Sequence, residues 1–184
     1  MADIFYKFIK FCLNRVWLCG IIYLFYDDTE EMKMVTVSNG HPIIPFEQMG
    51  GFYLHSTIQD LKNQESALRE KGYLKKSELD LQYEFSVVYE TPEVYLFYNL
   101  LNCKLYKITS KPAYIGSYKN KLYVGMELKK AIAQFEDIKY DFEEVYKSEN
   151  EGIFFEPDER LKYISIYVKE MDTCSNRDFF DGLW

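Results

Sequence analysis

The sequence predicts an α+β protein built from two pseudo-repeated β-α-β-β-β units with antiparallel sheets, preceded by an N-terminal hydrophobic helix. Three observations carry that reading. The chain of 184 residues holds seventeen Tyr and fourteen Phe against nine Gly, and aromatic side chains fit a pleated, half-buried surface. Apolar residues alternate with period two in several short runs bounded by Gly, Pro and Asn, the pattern of strands joined by turns. Two stretches, 51–108 and 121–166, present similar elements in the same order, as an internal repeat does.

Residues 1–31 form a segment apart. Phe5, Phe8, Ile9, Cys12, Leu13, Val16 and Trp17 recur at helical spacing, and Val16 to Tyr26 is uncharged and apolar. That run is short for a spanning helix, which needs roughly 20 apolar residues, although Lys7 and Lys10 before it and Asp27, Asp28, Glu30 and Glu31 after it suit insertion with the N-terminus inside. Tyr26-Asp27-Asp28 lacks the small residues of a signal-peptidase site. Three readings stand side by side: an anchor giving membrane contact through 4–26, a helix packed on the domain, and a translated upstream segment with the natural start at Met32 or Met34.

The first unit spans 32–111. MVTVSNGHPIIPF (34–46) reads as a strand, a turn at Ser38-Asn39-Gly40 and a Pro-bounded edge segment at Ile43-Ile44. Gly50-Gly51 introduces the strand Phe52-Tyr53-Leu54. A helix follows from about Thr57 to Lys71, with Ser56 or Thr57 as N-cap and Gly72 as its stop. Leu81 to Glu90, Val94 to Leu101 and Cys103 to Thr109 then read as three strands.

The second unit spans 112–172, and its heart is the stretch 121–168. Leu122-Tyr123-Val124 is a strand, Gly125 a turn, and MELKKAIAQF (126–135) a helix with Met126, Leu128, Ala131, Ile132 and Phe135 on one face. IKYDFEEVY, GIFFE and YISIYV predict a three-stranded meander. Gly51–Leu54 matches Lys121–Val124, Gln82–Tyr89 matches Lys139–Tyr146, and Cys103–Ile108 follows the rhythm of Leu161–Ile166. The tail 173–184 ends in Phe179, Phe180, Leu183 and Trp184, which either cover an exposed part of the core, the favoured reading, or offer a sticky patch to a partner.

Composition narrows the chemistry. A formal charge of −7 opposes nucleic-acid binding, which needs clustered Lys and Arg, and favours a basic protein partner. Cys12, Cys19, Cys103 and Cys174 form no zinc-ligand spacing and read as reduced thiols of a cytosolic protein, a Cys103–Cys174 bridge staying open. His41 lies in a turn and His55 at the junction where the second unit has Gly125, neither beside a nucleophile or ligand motif. No catalytic residue, metal ligand or cofactor site is expected, and the protein reads as a non-enzyme.

The charge is concentrated. Residues 127–160 contain eleven acids and five bases. An acidic, aromatic-rich docking surface is therefore expected on Asp141, Glu143, Glu144, Tyr146, Glu149, Glu151, Glu156, Asp158 and Glu159. Glu143 and Glu144, read as neighbours in one strand, fall on opposite faces.

The short strand, Gly125-Met126, helix, Tyr140-Asp141-x-x-Glu144 meander, Gly152-Ile153-x-Phe155 and final alternating strand resemble the immunity proteins of bacterial polymorphic-toxin and contact-dependent-inhibition systems. The resemblance covers the second half only. It implies a cytosolic, non-enzymatic protein that neutralises a cognate toxin, often a basic nuclease, and it carries over no catalytic residue. The N-terminal segment departs from that pattern and suits a location tethered at the inner membrane. The same elements also resemble small envelope lipoproteins that assist outer-membrane assembly, though no lipidated Cys is present here; a membrane-associated envelope accessory protein is the alternative.

Overall fold

A computed structural model describes residues 41–63, 76–80, 86–141, 145–156 and 158–184. The hydrophobic segment 1–31 and the residues Glu143 and Glu144 lie outside them. The architecture is α+β, with antiparallel sheets and a few short helices. Among the described residues no helix is long and apolar enough to cross a membrane.

Among the described residues the first elements are a hairpin of β1 (Gln48–Met49) and β2 (Phe52–Tyr53), followed by helix over 58–63. Thr57 caps that helix: its hydroxyl accepts from the Asp60 N–H at 3.1 Å, and the Asp60 carboxylate accepts from the Thr57 N–H at 2.7 Å. Four strands follow: β3 (Lys76–Asp80), β4 (Ser86–Glu90), β5 (Val94–Asn99) and β6 (Leu105–Ser110). A second hairpin, β7 (Ser117–Tyr118) and β8 (Leu122–Tyr123), leads into α1 (Leu128–Ile132). Then come β9 (Lys139–Tyr140), β10 (Tyr146–Ser148), β11 (Ile153–Phe155), β12 (Ile164–Tyr167), α2 (Glu170–Thr173) and α3 (Asn176–Phe180).

Eight of these strands make one antiparallel sheet in the order β3-β4-β5-β6-β12-β11-β10-β9. The order reads outward identically from its centre, where β6 pairs with β12. Equivalent backbone bonds dock one hairpin-to-helix junction at the start of β6 and the other just ahead of β12. His55 N–H donates to Leu105, Leu105 N–H to Ser56 and Ile58 N–H to Cys103; likewise Gly125 donates to Leu161, Leu161 to Met126 and Leu128 to Glu159. His55 and Gly125 occupy matching positions, both left-handed (φ 66° and 89°). Leu105 thus corresponds to Leu161, two residues away from the match that side-chain rhythm suggests. At the same spacing Thr109 corresponds to Ser165, and these two residues face each other across the β6–β12 pair.

One face of the sheet is the core. Leu96, Ile108, Ile166 and Ile153 form a row across four adjacent strands, each wholly shielded from water. Met49, Phe52, Leu54 and Leu61 from the first hairpin and helix join the same cluster, as do Leu122, Met126 and Ala131 from the second. On the opposite face the next row is Tyr95, Thr109, Ser165 and Phe154, with the Thr109 and Ser165 hydroxyls hydrogen-bonded at 2.8 Å.

Several expected boundaries shift. The period-two run 138–146 is two strands, β9 and β10, paired as Tyr140 with Tyr146 and Lys139 with Lys147. Alternating polarity is equally compatible with a strand that turns back on itself. Of the strand expected over 81–90, Ser86–Glu90 is β4 and 81–85 lie outside the described residues; Lys76–Asp80, for which no element was expected, is a strand paired with β4. The helix α1 is shorter than the apolar spacing of 126–135 suggests. The tail does dock: Phe179 stacks on Trp184 at 5.1 Å and meets Tyr106 edge-on at 5.6 Å. Cys103 and Cys174 are free thiols.

The central pair generates a prediction. Thr109→Val leaves the Ser165 hydroxyl, on a residue 3% exposed, without its partner and should cost about 1–3 kcal/mol. Thr109→Val with Ser165→Ala should recover most of that loss in denaturant unfolding, because neither polar group is then left unpaired.

Candidate functional site

The acids expected to form one surface sit at two ends of β11, a strand of three residues. Glu149 and Glu151 lie beyond its Ile153 end, in the turn from β10; Glu156, Asp158 and Glu159 follow its Phe155 end, where Tyr146 is paired, and Asp141 N–H donates to Val145 O on that same side. The second group is tied into local structure: Asp158 pairs with Lys162 at 3.1 Å, and the Glu159 carbonyl accepts the Leu128 N–H at 3.0 Å. Partial burial raises the Glu156 pKa, with Asp158 adding to the effect. Nearby Glu127 is held low by Lys130 and, to a smaller extent, by Arg160.

The first group borders two hollows that share Asn150 as a lip. One, of ≈ 230 Å³, is lined by Asp137, Lys139, Tyr140, Asp141, Lys147, Glu149 and Asn150. Three carboxylates there meet two ammonium groups, one of which, on Lys147, is already paired with Asp172. Asp137 builds the turn below: its carboxylate accepts from the Ser148 hydroxyl at 2.7 Å and the Asn150 N–H at 3.1 Å. Desolvation works against its ionisation, but those hydrogen bonds prevail and hold its carboxyl below the usual range.

The other hollow, of ≈ 510 Å³, is lined by residues 42–46 together with Tyr118, Lys119, Asn150 and Glu151. Its floor is fixed by a hydrogen bond from Ile43 N–H to Ser117 O at 2.9 Å and by an Ile44–Gln48 bridge. Phe46 adopts φ 59°, uncommon for a bulky residue, and its ring meets Tyr167 edge-on at 6.0 Å. Gly152 lets that ring approach; a Cβ there would lie 2.5 Å from Phe46 ring carbons. On the wall, the Tyr118 hydroxyl donates to Glu151, whose carboxylate also pairs with Lys119 at 3.2 Å. Burial and that acceptor raise the Tyr118 pKa.

An aromatic row joins the hollows. Tyr140, Tyr146, Phe155, Phe135 and Tyr118 follow one another with ring centroids 5.1, 6.0, 6.1 and 6.3 Å apart. Tyr140, at the exposed end of the row, is 58% accessible. Sequence reasoning did not single out Ile44, Phe46, Tyr118 or Asp137 for this region. The visible signals were the two prolines around Ile43-Ile44 and the Gly152 turn; the approach of 42–46 to residues about a hundred positions later has no local signature.

The histidines are apart. His41 lies near Glu93, whose pKa burial raises and His41 partly lowers. The His41 carbonyl accepts the Tyr114 hydroxyl at 2.6 Å. His55 meets Trp184 edge-on at 5.7 Å and lies 3.8 Å from Glu170. Among the described residues no three His, Cys, Asp or Glu side chains are grouped as metal ligands. Comparison of the chain with protein-family models, with curated proteins and with solved structures finds no match.

Two outcomes follow. Gly152→Ala should destabilise by at least about 1 kcal/mol in denaturant unfolding, from left-handed strain plus the clash with Phe46; adding Phe46→Ala relieves the clash but not the strain, so the double variant should lose less than the sum of the two single changes. The depressed pKa of Asp137 means its contribution is present above the unfolded value of about 3.9 and lost as pH falls. The drop in melting temperature between pH 7 and pH 3 should therefore be smaller in Asp137→Asn than in the parent.

Proposed function

We propose that the chain is a tandem pair of related α+β units that acts without catalysis, by binding a basic protein partner, as an immunity protein that neutralises a toxin. The observation that carries this is the first hollow. Asp137, Asp141 and Glu149 face one small concavity beside the exposed ring of Tyr140, where one of the two lysines is already neutralised by Asp172. Charge arranged in this way speeds encounter with a cationic surface and disfavours acidic partners, while an exposed tyrosine offers the type of anchor that dominates interface energies.

The tandem reading rests on the matching junction hydrogen bonds and the outward symmetry of the strand order. The immunity reading rests on the resemblance of 121–168 and on the absence from the sequence of a nucleophile–base motif. Blocking an enzyme requires only that its surface be covered, so a scaffold with stable strands and one charged, aromatic rim suffices. Of the acids expected in the interface, Asp141 and Glu149 line that hollow, and Glu156, Asp158 and Glu159 are not among its lining residues.

The test is a binding titration between the full chain and the C-terminal domain of the protein encoded directly upstream. Binding should weaken steadily as salt is raised from low to high, as ions screen the charges. Glu149→Lys should weaken it about tenfold, equivalent to ~1.4 kcal/mol, and Glu159→Lys should change it little. No binding at low salt, or equal effects of the two reversals, contradicts the proposal.

A further inference from the structure

We infer that the groove formed by Ile44, Pro45, Phe46 and Tyr118 takes an apolar side chain from an extended, lysine- or arginine-bearing segment of a partner protein, whose cation enters the adjoining acidic hollow. This rests on the protein-binding reading above and adds to it a second contact and the chemistry of the segment bound. The two hollows meet at Asn150, so one segment crossing that lip reaches both.

The groove is apolar and already formed. Pro42 and Pro45 carry no N–H, and Ile43 and Ile44 spend theirs on Ser117 and Gln48, so the backbone of this wall has few donors left to solvate. The charged atoms of the opposite wall are engaged with one another: Glu151 accepts from Tyr118 and pairs with Lys119. What remains to be covered is largely hydrocarbon and ring, the lining that suits an apolar side chain with little ordering to be done on binding. Phe46 is pinned between Gly152 and Tyr167, and the aromatic row from Tyr118 to Tyr140 stiffens the ground between the hollows.

Charge selects the occupant. Across the lip stand Asp137, Asp141 and Glu149 against Lys139 and the already paired Lys147, so an acidic or neutral segment gains nothing there and a basic one does. Both contacts are short-range, and neither requires the partner to fold around the protein. A strand or loop on a basic domain has the required form.

The test is chemical-shift mapping on the isotopically labelled full chain with three short capped peptides: alternating lysine and phenylalanine, lysine and serine, and glutamate and phenylalanine. The lysine–phenylalanine peptide should perturb amides at 44–46, 118–119 and 149–151, and bind about tenfold more tightly than either of the others. Ile44→Ser should remove that advantage, and the spectrum of the variant shows directly whether it is folded. If lysine–serine binds at 137–149 as well as lysine–phenylalanine does, the groove proposal falls while the acidic hollow stands. If neither lysine peptide shifts residues 137–151, both readings fail; if glutamate–phenylalanine binds as tightly, charge selects nothing and this proposal falls.

Discussion

The antiparallel pairing of β6 with β12 is the constraint on which the structure rests. It fuses two four-strand halves into one sheet, and it does so with chemistry that differs between the faces. On the core side Ile108 and Ile166 meet and extend a dry row from Leu96 to Ile153. On the other side Thr109 and Ser165 meet and satisfy each other through a hydrogen bond. Burial of the first pair supplies the driving force, and the second fixes the register, since a one-residue slip would exchange the faces.

That arrangement leaves β9 at one edge of the eight-stranded sheet. The hairpin-to-helix junctions dock at the start of β6 and just ahead of β12 by equivalent hydrogen bonds. In the second unit β9 is a strand of two exposed residues, and the β10–β11 turn carries Glu149, Asn150 and Glu151 beyond it. Acidic residues here divide by role. Asp137 and Glu151 hold the turn and the neighbouring hairpin together, whereas Glu149 projects into water. Negative charge at the rim is thus partly structural. The segment 42–46, reaching over from the start of the described chain, adds apolar surface beside that charge.

Much of this was legible in the sequence, for identifiable reasons. The core strands β5, β6, β11 and β12 are marked by apolar runs between turn residues, because both faces or one whole face are buried. The junctions at 51–57 and 121–127 were legible because a short strand, a left-handed residue and a helix start leave a local pattern. The Thr57 cap is visible for the same reason. Boundaries failed where polarity and geometry part company: the residues 138–146 alternate as one strand would, but the chain reverses within them to pair Tyr140 with Tyr146. Lys76–Asp80, a polar edge strand, has no apolar alternation to betray it. The acids were legible as composition but not as an arrangement, since nothing local shows that Glu149 and Glu159 lie at opposite ends of β11 or that Phe46 settles on Gly152.

The account holds that the molecule works by covering a partner with the rim of its second unit. Hydrogen–deuterium exchange of the full chain, alone and saturated with the C-terminal domain encoded directly upstream, tests this most directly. New protection confined to 42–46, 117–119 and 137–151, with the β3–β4 edge unchanged, is the predicted result. Protection that instead falls on β3 and β4, or on the 156–160 end of β11, would contradict it.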